Sequence, residues 1–314
     1  MEFIVVSNET RIREFIFTGL ANSRIQGFIF FVLFFFVYVI TVVGNSGMVA
    51  LVCNTSQLQT PMYCFLGCLS MVDLCYSSVI APKMLADLVS RVKSISFIGC
   101  ALQFFFFAAL AATESLLLSC MSYDRYVAIC RPLHYSLIMT EKKSIGLILT
   151  ATSIGFSQSS VQTVCIFSLR YCGWNQIDHF YCEVPPLLKL SCSDTFSCDL
   201  VTIFFFCSFG MASMMIIVVS YLLIVSSILG INSTTGRRKA FSTCSSHLTC
   251  VCIFYGTTLF IYLRPPSRSF DKKDKVASVF YTMVIPMLNP LIYSLRNQEV
   301  MKALKTSIRC SSSL

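Results

Sequence analysis

The chain has 314 residues, 55% of them hydrophobic and only 12% charged, with a formal net charge of +9. A soluble domain of this size would carry about a quarter charged residues, so composition excludes a water-soluble fold. The positive balance does not mark a nucleic-acid binder either, because the basic residues are scattered through polar joins and not interleaved with surface aromatics.

Residues 1–24 hold Glu2, Glu9, Arg11, Arg13, Glu14 and Arg24 and no apolar core. No cleavable signal peptide is therefore expected, and the first apolar helix acts as the insertion signal. Asn8-Glu9-Thr10 is a glycosylation sequon; matches at Asn54 and Asn232, in segments assigned to the cytoplasm, make it modest support for an outside amino end. A bilayer takes about 20 apolar residues to cross. That ruler predicts seven spans: Ile25–Cys53, Pro61–Leu85, Cys100–Tyr123, Ser144–Phe167, Leu200–Leu229, Ala240–Leu263 and Val276–Leu295. Runs this apolar predict helices and not a barrel with alternating faces. The two halves do not resemble each other, which argues against an inverted-repeat transporter. Lys and Arg divide almost evenly between the two sets of joins, so the positive-inside rule leaves orientation open, while net charge favours an outside amino end.

The 17 cysteines cannot all pair. Most lie in apolar runs and read as small hydrophobes, and no Cys-x-x-Cys pair supports a metal site. Cys172, Cys182 and Cys192 lie in the long join from Leu169 to Asp199, and Cys100 starts the third span. Four cysteines on an oxidising face imply two disulfides, with three pairings open. His179 and Glu183 beside them read as loop hydrogen-bonding groups before ligand or ion contacts.

Asp73 and Glu114 lie mid-span, where a carboxylate must be protonated, paired or bound to a cation. With Asn45, Asn289 and Ser119 they are expected to face one polar cluster, either a small Na⁺ site or a protonated packing cluster. The inner end of the third span reads MSYDRYVAICRPLHY from Met121. Asp124 and Arg125 are expected to pair there, which makes either a breakable switch or a plain charge pair that stops the helix sliding. The seventh span ends Pro286-Met-Leu-Asn289-Pro290-Leu-Ile-Tyr293, with two prolines that weaken the helix and an Asn and Tyr one turn apart. Residues 297–308 then predict a basic amphipathic helix on the membrane, followed by Cys310 and Ser311, Ser312 and Ser313 as candidate modification sites.

The block from Met121 is similar to the signature of rhodopsin-like receptors. Further matches narrow this: Gly44-Asn45, Pro61-Met62-Tyr63, HFYCEVPPLLKLSCSDT from His179, Ser220-Tyr221, the run Lys239 to Leu248, Phe254-Tyr255-Gly256 and PMLNPLIYSLRN from Pro286. Nearly the whole chain resembles an odorant (olfactory) receptor of the tetrapod type. Single letters depart from the usual pattern at Cys64, Ser122 and Trp174.

The resemblance implies an all-α membrane protein, a seven-transmembrane helix bundle with a short amphipathic helix after the last span. It divides the chain into an extracellular amino terminus (1–24), the receptor domain (25–295) and a cytoplasmic helix and tail (296–314) in the plasma membrane. It implies Cys100–Cys182 and Cys172–Cys192 disulfides, glycosylation at Asn8, and an ion site of Asp73, Glu114 and Asn289. The partners it implies are a small volatile odorant and a stimulatory olfactory G protein that raises cyclic AMP. Asp124, Arg125, Tyr126, Tyr221, Lys239 and Tyr293 would form the G protein switch, with His247 helping to hold the inactive state, and Tyr255 would sit at the pocket floor. No cofactor beyond a bound Na⁺ and no nucleic acid is implied.

Helical spacing then selects the pocket walls: Phe107, Ala108, Ala111 and Ala112; Tyr255, Thr258, Leu259 and Tyr262; Phe205 and Phe209; and Ser278, Val279 and Thr282. This lining carries no charge, so it predicts small neutral ligands with one oxygen function and leaves amines and dianions without a partner. The alternatives are a chemosensor of the same fold in a non-olfactory tissue, or a channel or transporter using Asp73 and Glu114. No nucleophile elbow, paired histidines or phosphate loop supports an enzyme.

Overall fold

The computed structural model describes residues 12–173, 175–230, 233–262, 272–296 and 298–312. Asn8 and Trp174, and the side chains of Lys239 and Tyr262, lie outside the described residues. Among the described residues there are seven long helices: Arg24–Asn54, Pro61–Val89, Phe97–Cys130, Glu141–Phe167, Phe196–Leu229, Thr234–Tyr262, and a seventh over 272–296. Five are long and apolar enough to cross a membrane on length and composition alone. The fourth and sixth have similar length but are diluted by Ser, Thr and Gln.

Local chemistry sets the ends. The Ser23 hydroxyl accepts from Gln26 N at 3.2 Å, Ser96 from Gly99 N at 3.0 Å and Thr140 from Lys143 N at 3.3 Å, each satisfying a helix-start amide. Pro61 opens the second helix, where its missing N–H costs nothing. The third helix continues past Tyr123 to Cys130, so Asp124 and Arg125 lie within it and not at its end. The outer faces are apolar: Phe28, Leu33, Phe36 and Val43 on the first helix and Leu200, Ile203, Phe204 and Leu222 on the fifth are exposed. Exposed surface of that kind requires lipid.

The disulfide-bearing face is closed by a lid. Strand β1 (Glu14–Phe17) lies between β2 (Ser94–Ser96, antiparallel, Phe15 opposite Ile95) and β3 (Gln176–Ile177, parallel, Phe17 opposite Ile177). The amino-terminal segment thus contributes a strand whose alternation buries Phe15 and Phe17. They join Phe104, Ile166, Tyr171, Ile177 and Leu187 in a small core above the main one. Cys100 bonds Cys182 and Cys172 bonds Cys192. A third disulfide, Cys165–Cys198, ties the fourth helix to the fifth. The expected four cysteines on this face are therefore six: Cys165 ends an apolar run and reads there as a small hydrophobe, and Cys198, at the far end of the long join, is not among the four expected.

Two glycines let backbones touch. A Cβ on Gly27 would stand 2.5 Å from Leu88 O, and one on Gly155 would stand 2.6 Å from Ala109 O and 2.5 Å from Thr113 Oγ1. Gly155 therefore sets how closely the fourth helix approaches the third. Gly146, on the same helix, has nothing within 4 Å of its would-be Cβ. Gly155→Val is expected to destabilise the bundle by about 1–3 kcal/mol through overpacking, with Gly146→Val near neutral. Thermal melting of the detergent-solubilised variants checks this, and equal melting temperatures would refute it.

Candidate functional site

A cavity of about 190 Å³ lies beneath the lid, between the third, fourth, fifth, sixth and seventh helices. It is smaller than the ~300–1,000 Å³ of drug-sized sites. Phe107, Ala108, Ala111 and Ala112 line it from the third helix, Phe205 and Phe209 from the fifth, and Tyr255, Thr258 and Leu259 from the sixth. The alanines make the space, and Phe205 stacks on Phe209 at 6.1 Å between centroids. At the floor, Tyr255 Oη meets Ser213 Oγ at 2.6 Å and Ser115 Oγ at 3.3 Å, while the two serines are 3.0 Å apart.

The seventh-helix expectation is corrected. Ser278, Val279 and Thr282 do not line the cavity; Tyr281 does. The cause is a π turn at Phe280–Val284, whose extra residue rotates the face away from regular 3.6-residue spacing. Ser278 and Thr282 are buried, and the Thr282 hydroxyl donates to Ser278 O at 2.7 Å.

The expected uncharged lining is also corrected. Glu183 reaches the wall from the lid, fully buried, accepting from Tyr281 Oη at 2.9 Å with His179 Nε2 at 3.7 Å. An amine would therefore meet a carboxylate, so the lining does not exclude amines. Gln158 and Gln162 of the fourth helix also line the cavity and were missed. Two polar residues at i, i+4 in a membrane helix were the signal that would have found them.

Below the cavity, Asn289 Nδ2 donates to Asp73 Oδ2 at 2.9 Å, with Glu114 within electrostatic reach of both. Asp73 Oδ1 and Glu114 Oε1 are buried without a hydrogen-bond partner among the described residues. The single polar cluster is smaller than expected. Asn45 Nδ2 donates to Thr41 O and Pro286 O, both at 2.9 Å, and the Ser119 hydroxyl donates to Leu116 O at 2.7 Å. Among the described residues, no three His, Cys, Asp or Glu side chains converge as a metal site.

Toward the opposite face, Arg125 lies within electrostatic reach of Asp124, as expected, but the carboxylate takes its hydrogen bond elsewhere. The Asp124 carboxylate accepts from Tyr135 Oη at 2.9 Å. Neighbouring residues on a helix point about 100° apart, so the carboxylate turns to the following loop. Arg125 also lies within electrostatic reach of Tyr221, Cys244, His247 and Tyr293. His247 is fully buried, with Nδ1 2.7 Å from Tyr221 Oη and Nε2 3.1 Å from Leu118 O, so it bridges the third, fifth and sixth helices. Tyr126 is half-buried beside Tyr123, and Tyr293 is buried.

An apolar cavity closed by a lid and enclosed by helices with lipid-compatible outer faces is the architecture of a multi-pass membrane protein with a small-molecule site. The olfactory receptor family pattern matches residues 34–310. The chain is 51% identical over 302 residues to mouse olfactory receptor 5AR1, covering 96% of this chain and 97% of that one. It is 50% identical over 302 residues to human olfactory receptor 5AR1, with the same two coverages. It is 48% identical over 307 residues to human olfactory receptor 8A1, covering 98% and 94%. The chain belongs to the olfactory receptor family, as a multi-pass receptor of the cell membrane and not an enzyme.

The lid carries its own electrostatics. Lys275 Nζ donates to Asp178 Oδ1 at 2.8 Å and to Thr18 Oγ1 at 2.9 Å, joining the seventh helix to the sheet. Burial raises the Asp178 carboxyl, but Lys275 and Thr18 outweigh it and leave it below its usual value. Burial, and then the Lys275 charge, hold His179 down to about 3 from 6.5. A folded value below the unfolded one stabilises the lid above about pH 6.5 and loses that contribution as pH falls toward 3. The melting temperature of the purified receptor is expected to fall on going from about pH 7.5 to 5.5, and His179→Gln to flatten that slope. An unchanged slope in the variant would count against it.

Proposed function

We propose that the cavity takes a small, neutral, volatile organic molecule and that its binding moves the sixth helix, opening the opposite face to a stimulatory olfactory G protein that raises cyclic AMP. One observation carries this reading: a single helix serves both ends. Tyr255 forms the cavity floor, and His247, eight residues earlier and so about 12 Å along the axis, bridges three helices beside Arg125. A ligand that favours one setting of Tyr255 biases the whole helix, but only by its difference in affinity for the two settings.

Movement of the sixth helix breaks the His247 contacts to Tyr221 and Leu118 O. Arg125 then loses its inward surroundings and faces the G protein with Tyr126, Tyr221 and Tyr293, and Lys239 joins from the basic start of the sixth helix. Asp124 keeps Tyr135 and fixes the loop that follows. Pro286 and Pro290 give the seventh helix its point of bending. Asp73, Glu114 and Asn289 would hold a Na⁺, the two unpartnered carboxylate oxygens being suited to it, or would share a proton instead.

In this reading residues 1–24 are extracellular and glycosylated at Asn8, 25–295 form the receptor domain, and 296–314 lie in the cytoplasm. The disulfides support placing the lid on the oxidising side. The helix Gln298–Ser312 supports the opposite assignment for the other end: it buries Val300 and Ala303, and Tyr63 Oη donates to Glu299 at 2.7 Å. Membership of the family sets the channel and transporter readings aside.

Arg125→Ala is expected to reduce cyclic AMP responses to a panel of small volatiles to background in transfected cells, with surface labelling within about twofold of the parent. A normal response from that variant would overturn the proposed switch.

A further inference from the structure

Most polar groups on the cavity wall are already engaged. Ser115 and Tyr255 bond each other and Ser213. The Thr202 hydroxyl donates to Cys198 O and Thr258 to Phe254 O, both at 2.8 Å, and Tyr281 donates to Glu183. The exceptions are two amides on the fourth helix. Gln158 and Gln162 stand one turn apart and both line the cavity, and Gln162 is only 7% exposed. Gln158 Oε1 is buried without a hydrogen-bond partner, and among the described residues neither amide is bonded to a protein group.

Buried polar groups are satisfied in nearly all proteins, so the orphaned Gln158 oxygen beside a cavity needs its own explanation. Here the missing partner is chemically defined. A side-chain amide offers one acceptor and two N–H donors, and the orphaned Gln158 carbonyl needs a donor. Ketones, esters and ethers have none to give. An alcohol or a primary amide donates and accepts at once.

We propose that Gln158 and Gln162 form the recognition subsite of this receptor, selecting odorants whose polar group both donates and accepts a hydrogen bond over carbonyl and ether compounds of the same skeleton. This rests on the reading of the cavity as the odorant site. The hydroxyl floor at Tyr255 then senses the apolar body of the ligand, while the fourth helix reads its functional group. A site built to bond a donor rejects an analogue lacking it more strongly than an apolar pocket rejects a change of shape.

The test measures cyclic AMP in cells expressing the full chain. The probes are straight-chain 1-alkanols, primary amides, 2-alkanones and methyl ethers of about five to eight carbons. The receptor is expected to answer alkanols and amides at concentrations about tenfold below the matched ketones and ethers. Combined Gln158→Met and Gln162→Met is expected to bring the classes within about twofold, with surface labelling intact. If the double variant does not reach the surface, Gln158→Asn alone, which keeps the amide but withdraws it, is expected to weaken alkanols selectively. A preference that survives these changes overturns the assignment, as does a parent receptor that answers no alkanol or amide at saturation. Ala112→Trp, which fills the cavity, separates the two levels of inference. If it silences every probe while the glutamine variants keep the alkanol preference, only the subsite is wrong. If it reaches the surface and responds like the parent, the cavity is not where odorants bind.

Discussion

The bundle depends on the rule that a polar group shut away from water must find its partner on a neighbouring helix. The clearest case begins with a proline. Pro290 has no N–H, so the carbonyl four residues earlier, at Pro286, is left without its helical donor. Asn45 of the first helix fills that vacancy at 2.9 Å. A defect in one helix thereby becomes a link to another, and the local softness of the seventh helix is held in register from outside. Ser159 to Phe105 O at 2.6 Å and His247 with Leu118 O repeat the pattern, a side chain on one helix reaching the backbone of the next. These links, together with the close approach allowed by Gly155, fix where the cavity walls stand.

The cavity owes its shape to two departures from regular helix as much as to its alanines. The fifth helix has a π turn at Phe206–Gly210 and the seventh at Phe280–Val284. Phe206, Phe209 and Gly210 of the first turn and Tyr281 of the second line the space. Each turn carries one more residue than a regular helix would. The side chains beyond it are aimed anew without a break in the span.

That geometry also explains what was legible in the sequence. Seven helix-length runs were legible, five of them as the long apolar stretches that lipid demands. The third-helix wall, and Tyr255, Thr258 and Leu259 of the sixth, followed from regular spacing. The seventh-helix wall did not, because a π turn leaves no mark in a 3.6-residue pattern. The hydrogen bond that Tyr135 gives Asp124 was not legible, because Tyr135 lies eleven residues away, beyond the end of the third helix. Cys165 was hidden by its apolar neighbours, and strand β1 by the charges around it. Glu183 was visible in the loop, but only its disulfide anchor to the third helix carries it down to the cavity.

Two of the three disulfides are nested, and the third, from Cys100, reaches into both loops. Cys182 lies inside the loop closed by Cys172 and Cys192, which lies inside the loop closed by Cys165 and Cys198. Glu183 and Val184, which wall the cavity, directly follow the innermost cysteine. Correct thiol pairing during biosynthesis is thus a condition for having a ligand chamber at all. A chain made in a reducing compartment would keep its helical spans, whose hydrogen bonds are internal, and yet lack a roof, so helix content is a poor gauge of a competent preparation.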